Sequence, residues 1–292
     1  MLDNRVFKPK KDDVLYHYCD PHAFLSICQN KKIWFSDLFS MNDPTERKYG
    51  YYIWEESANL ILEREKNILS TEFKDNELDL KFNERRNELI KYFDEIDKIM
   101  HFSGIQYICT AACFSKTPDS LNQWRNYASD GQGFCVGFDA NYLVKMDVDA
   151  VSVLYNKDEQ LEECITEIHE LIDLIKKNKF DDFKKLANLF CLRTMSFKHP
   201  AYLEENEVRL LYRLYFEDNL SVFDKTSESP LDIKYRIRNN SPVIYIEKEF
   251  SDAIKEIIIG PKNYTLPSAI TVLLETNGIS NVEVTNSSVP YR

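Results

Sequence analysis

Residues 14–46 read VLYHYCDPHAFLSICQNKKIWFSDLFSMNDPTE, and this stretch sets a strand, a short helix, a second strand and a polar turn in direct succession. Val14, Leu15, Tyr16, His17 and Tyr18 are aromatic or β-branched in the main, the residue types that fit a pleated, half-buried surface. Asp20 followed by Pro21 supplies a helix N-cap and a proline at the first helical position. Phe24, Leu25, Ile27 and Cys28 then continue at helical spacing, and the helix is predicted to end near Asn30. Ile33 to Ser36 reads as the second strand, and Asn42-Asp43-Pro44 reads as turn, because the residue before a proline is biased away from helix.

Outward from this segment the chain alternates helical blocks with strands. Tyr52 to Leu69 carries apolar residues three and four apart, and Glu77 to Met100 repeats the pattern through Leu80, Leu89, Tyr92, Phe93 and Ile96. A strand is predicted over Ile105 to Ser115, a helix over Asp119 to Ala128, and a turn at Asp130 to Gly133 leading into a strand from Phe134 to Phe138. Val151 to Tyr155 reads as a further strand. Gln160 to Lys177 is strongly amphipathic, and a second helix covers Phe180 to Leu192. The C-terminal third returns to strands at Glu207 to Tyr215, Val243 to Ile246, Glu256 to Ile259 and Val282 to Thr285, with one helix from Pro267 to Thr276. Runs of strands broken by helical blocks, without regular alternation, predict an α+β fold. The expected architecture is a mixed, mainly antiparallel β core in one elaborated domain over residues 1–292, with helical insertions at about 48–101 and 158–195.

Composition narrows the function classes. The formal charge of −11 over 292 residues argues against broad electrostatic capture of nucleic acid, which needs a positive face. Seven scattered cysteines without a Cys-x-x-Cys pair read as reduced thiols, implying a cytoplasmic protein. The opening MLDNRVFKPKKDD is too polar for a signal peptide, and no apolar run approaches the ~20 residues of a membrane span. The five histidines show no metal-ligand spacing, and Walker, nucleophile-elbow, zincin and kinase motifs are absent.

A few polar residues remain as candidates. His17 sits inside the first strand and reads either as a hydrogen-bonded core residue or as a ligand-binding one. Glu205 and Glu207 stand two apart at the entry to a strand, so they are expected on one face, where mutual repulsion would raise one pKa and leave the other an acceptor. Ser115, Trp124 and Tyr127 are candidates for a polar pocket wall with a ring for stacking, although their helical spacing equally suits Trp124 and Tyr127 as core anchors. Gly131, Gly133 and Gly137 read as turn glycines, since no helix N-terminus follows them to hold an anion. Lys234, Arg236 and Arg238 alternate and would share one side of a strand, either a solvated edge or an anion-binding face.

LYHY, IWFS, NDPTE, CFS with NQWRNYA, GFCVGF, FKHP, EENEVRLLYR and EIIIGP, in that order over about residues 14–290, resemble the bacterial domain of unknown function 2971 family. That likeness implies no activity. Gln123 stands where family members often carry methionine. More distantly, the histidine-bearing first strand, the aromatic-polar second strand and the late glutamate pair resemble NAD-dependent ADP-ribosyltransferases. This second resemblance implies an ADP-ribosyltransferase-like β core with NAD as the substrate cofactor and a nucleic-acid or protein acceptor. It further implies a toxin or antiphage effector, with a neutralising partner protein. It assigns His17 to the NAD ribose, Glu207 as the catalytic glutamate and Glu205 as its partner, with Tyr18, Ser36, Asn42, Ser115, Trp124 and Arg209 as further NAD-binding positions. Trp34 competes with Ser36 for the second-strand role. The reading from another class is a non-catalytic binding or sensor module of a bacterial defence system, in which His17 and Glu207 are structural.

Overall fold

The computed structural model describes residues 5–40, 46–216, 222–223, 232–238 and 240–291. The opening segment forms β1 (Val14–Cys19), α1 (Pro21–Asn30) and β2 (Lys32–Asp37). Asp20 caps α1, accepting from the Ala23 backbone N–H at 2.8 Å, and Lys31 closes it in the left-handed conformation. Two long helices follow, α2 (Glu46–Glu72) and α3 (Asp75–Gln106), then β3 (Tyr107–Ser115), α4 (Leu121–Tyr127), β4 (Phe134–Asp139) and α5 (Ala140–Leu143). Next come β5 (Asp149–Ser152), α6 (Lys157–Lys176), α7 (Phe180–Thr194), β6 (Glu207–Phe216) and β7 (Val222–Phe223). The chain finishes with β8 (Lys234–Arg238), β9 (Ser241–Glu249), β10 (Ile254–Ile259), α8 (Pro267–Thr276) and β11 (Glu283–Asn286).

The fold is mixed α+β around an open, mainly antiparallel sheet. Its strands run β11-β10-β4-β1-β3-β2-β9-β8, with β6 on the other edge of β3 and β5 and β7 beyond it. Among the strand pairs of the described residues, only β10 and β11 run parallel.

The register of β3 forces the sheet to split. β6 pairs with β3 along all nine of its residues, so β1 and β2 must share the opposite edge. β1 touches that edge with Tyr16 opposite Ser115, and β2 with Ser36 opposite Ala111. Continued in register, Tyr18 and Trp34 would both stand opposite Cys113, which one strand edge cannot accommodate. The two strands therefore diverge, β1 pairing along its length with β4 and β2 with β9. The middle of β3 is left facing a wedge.

Two large apolar clusters hold this arrangement. The first packs α1 and α8 on the sheet, with Phe24 stacked on Phe134 at 4.0 Å between ring centroids. The second lies among α2, α3, α6 and α7 and contains Ile53, Ile61, Leu89, Ile96, Ile168 and Phe190. The amphipathic stripes read from the sequence thus bury against one another as a helical layer of their own. Among the described residues no helix is long and apolar enough to cross a membrane.

The glycines depart from the turn reading. Gly131 occupies a turn at φ 85°, but Gly137 lies within β4, and Gly133 is a point of close backbone approach. A Cβ on Gly133 would stand 2.1 Å from the Cys19 carbonyl oxygen, and Gly260 donates its N–H to the Gly133 carbonyl at 3.0 Å. Backbone on both sides leaves nothing flexible to yield. Gly133→Ala is expected to destabilise the fold by more than about 2 kcal/mol in urea unfolding, and an unchanged midpoint would contradict this packing.

Candidate active site

The wedge between β1 and β2 encloses a cavity of about 250 Å³. Tyr16, His17 and Tyr18 line it from β1, Ile33, Trp34 and Ser36 from β2, and Ala111 to Ser115 from β3. Ala23, Ser26 and Ile27 of α1 close one side, while Arg236 and Arg238 of β8 and the group Lys198, Glu205, Glu207 and Arg209 complete it.

His17 is fixed by the split itself. The Cys113 carbonyl falls between the two ladders and is met by the His17 ring, Nδ1 lying 3.0 Å from the oxygen. A bond to a carbonyl requires the proton on Nδ1, which leaves Nε2 an acceptor. Burial holds the His17 pKa below its ordinary value, against the opposing pull of the Cys113 carbonyl, so the ring is neutral at pH 7.

The second feature is a buried ionic quartet. Lys198, Glu205, Glu207 and Arg209 are each 7% exposed or less. Arg209 holds Glu207 with two donors, Nε to Oε1 at 2.8 Å and Nη2 to Oε2 at 3.2 Å. Lys198 bridges the carboxylates, donating to Glu207 Oε2 at 3.2 Å and to Glu205 Oε2. The Tyr127 hydroxyl donates to Glu205 Oε1 at 2.8 Å, and the Tyr155 hydroxyl accepts from the Glu207 backbone N–H at 3.0 Å. Two negative and two positive charges are thus buried together, the condition under which such ions are tolerated.

The expected same-face geometry of the glutamates has a different origin from strand alternation. Glu205 ends a 3-10 turn, Pro200–Glu205, and Asn206 in the left-handed conformation at φ 46° turns the chain into β6, where Glu207 begins. The pKa values also split for a different reason than bare repulsion. Burial raises Glu205, with Lys198 opposing and the charge of Glu207 adding to the rise. Burial would raise Glu207 too, but Arg209 and Lys198 outweigh it and hold that carboxyl at about 2. Acceptor capacity differs as well. Arg209, Lys198 and the Cys113 thiol fill the four lone-pair sites of Glu207, whereas Lys198 and Tyr127 occupy two of those on Glu205.

The other candidates separate clearly. Ser115 lies on the cavity wall, but its hydroxyl donates to the Glu205 carbonyl at 2.7 Å and so fastens the 3-10 turn to β3. Tyr18 lines the cavity with its ring, while its hydroxyl is engaged by Thr117 at 3.0 Å and Ser120 at 2.9 Å. Ser36 accepts from Arg236 Nη2 at 3.0 Å. Trp124 does not reach the cavity: it is 0% exposed, its Nε1–H is bonded to Asp119 at 2.8 Å, and its ring meets Tyr18 edge-on. It is a core anchor, and its α4 neighbours Gln123 and Tyr127 line the cavity instead. Asn42 lies outside the described residues. Sequence reasoning did not find that Lys198 bridges both glutamates. The only hint was its place in FKHP, a few residues before them.

Residues 123–210 match the model of a family described as a protein of unknown function (DUF2971). This is narrower than the span of about 14–290 expected from the order of segments, and it holds Tyr127 and the ionic quartet but not His17, Arg236 or Arg238. No curated protein and no solved structure matches the chain.

Two outcomes follow from the quartet. Lys198→Met leaves two buried carboxylates short of a cation and is expected to cost about 3–5 kcal/mol in urea unfolding at pH 8, with a smaller loss at pH 5, where Glu205 can protonate. Equal losses at both pH values would contradict this. Glu207, held at about 2 against an ordinary 4.5, adds stability above pH 4.5 that disappears as the pH falls toward 2. The term is on the order of 3 kcal/mol, and Glu207→Gln should flatten that acid limb in a pH series of melts.

Proposed function

We propose that the protein is an ADP-ribosyltransferase-like enzyme that cleaves the glycosidic bond of NAD and passes the ADP-ribosyl group to an acceptor. One observation carries the reading: His17 on β1, Glu205 at the end of the 3-10 turn and Glu207 at the start of β6 line a single cavity opened by the divergence of β1 and β2. In the reaction the bond between ribose C1′ and nicotinamide breaks, its electron pair leaves with nicotinamide, and water or an acceptor nucleophile adds at C1′ and releases a proton. The developing charge on the ribose is positive, so an ionised carboxylate that needs no reorganisation favours it. Glu207, held at about 2, is ionised at any physiological pH. Glu205 retains acceptor capacity for a ribose hydroxyl, and Nε2 of His17 supplies a second acceptor across the wedge. At about 250 Å³ the cavity suits the nicotinamide riboside end, below the ≈ 300–1,000 Å³ typical of sites for whole drug-sized ligands. The rest of a dinucleotide would run toward β8.

A second reading, a non-catalytic binding or sensor module, is favoured by the saturation of Glu207. A carboxylate with all its lone pairs engaged works only through its field, and a charge-neutral quartet also suits a rigid binding wall. Nicotinamide release separates the two. The enzyme reading expects purified protein to release nicotinamide from NAD. Glu207→Gln and Glu205→Gln should each reduce the rate by about 10²-fold or more while the folded circular dichroism signal persists. No release by the wild type, or a Glu207→Gln variant within twofold of it, would overturn the enzyme reading.

A further inference from the structure

The cavity has a second, cationic end that the glycosidic chemistry does not use. In β8 the side chains alternate, Tyr235 and Ile237 facing solvent and Lys234, Arg236 and Arg238 facing inward, so this edge strand turns its charges toward the wedge. Lys234 is engaged by Glu247 at 2.7 Å. Arg236 and Arg238 are different. Among the described residues neither forms an ion pair, in a chain whose formal charge is −11. Arg236 lies over the Trp34 ring at 5.5 Å and gives Nη2 to Ser36, which fixes the guanidinium plane, while its Nε is buried without a hydrogen-bond partner. Arg238 gives Nη1 to the Ser40 carbonyl at 3.3 Å, and its other donors meet no acceptor among the described residues. Two like charges are held side by side at half-burial with a donor left over, and the Asp20 charge that acts on Arg236 forms no ion pair with it.

We propose that Arg236 and Arg238, braced by Trp34 and Ser36, form a diphosphate subsite at the β8 end of the cavity, selecting a nucleoside diphosphate moiety over an uncharged glycoside. Planar guanidinium forks match phosphate oxygens in paired hydrogen bonds, and a ring beneath one of them fixes its orientation. The subsite rests on the NAD reading only for the identity of the remainder of the ligand.

The test titrates the full chain with inorganic pyrophosphate by calorimetry, alongside nicotinamide release from NAD. Pyrophosphate should bind the wild type and bind more weakly as NaCl rises. Arg236→Gln and Arg238→Gln should each weaken binding at least tenfold with unchanged melting, and Lys179→Gln, an exposed cation elsewhere, should leave it unaltered. In the NAD assay both arginine variants should raise KM at least tenfold and leave kcat within threefold. Pyrophosphate binding lost in the arginine variants, with no NAD cleavage by any form, would support the subsite and remove the glycosidic reading. NAD cleavage with unchanged KM in both variants would overturn the subsite and keep that reading. Binding of single-stranded oligothymidylate through these arginines without pyrophosphate binding would also overturn it, marking a nucleic-acid backbone contact instead.

Discussion

One edge of β3 faces two strands that cannot both follow it. With β6 along the other edge, β1 and β2 each take one end of the free edge and part company in the middle. An unpaired carbonyl in such a gap is costly unless something meets it, and the His17 ring does so at 3.0 Å. The wedge, the fixed tautomer of His17 and the cavity are therefore consequences of a single pairing conflict. On their opposite edges β1 keeps its ladder with β4 and β2 its ladder with β9.

The rim of the wedge is organised by charge. At one end four buried ions neutralise one another, with Lys198 shared by two carboxylates and Arg209 fixed on Glu207. At the other end two arginines face the same cavity with no ion-pair partner among the described residues. An anionic ligand with a region of developing positive charge would meet complementary fields along its length, which is the basis on which a dinucleotide glycoside is proposed as substrate.

Local chemistry made the opening segment legible. Asp20, Pro21 and the apolar spacing of Phe24 and Ile27 fixed α1, and β1 and β2 differ from expectation by a residue at their ends. The alternation of Lys234, Arg236 and Arg238 was readable for the same reason, since the strand period is local. For Trp124 the core-anchor alternative holds and the NAD-binding position implied by the resemblance does not, because helical spacing places it near Tyr127 but cannot tell which of the two the core absorbs. The bridging role of Lys198 was not legible. That lysine reaches Glu205 and Glu207 only because the 3-10 turn and the left-handed Asn206 fold the chain back on itself, and no periodicity records that reversal. The split of the sheet was equally hidden, being a matter of long-range register.

The central claim is that the divergence of β1 and β2 is a ligand site for a dinucleotide, and a crystal structure of the protein soaked with NAD tests it most directly. The account predicts density in the wedge, with a ribose hydroxyl within hydrogen-bond distance of His17 Nε2 or Glu205 and the diphosphate against Arg236 and Arg238. NAD seated elsewhere on the protein, or a wedge left empty at saturating NAD while the crystals remain intact, would contradict it.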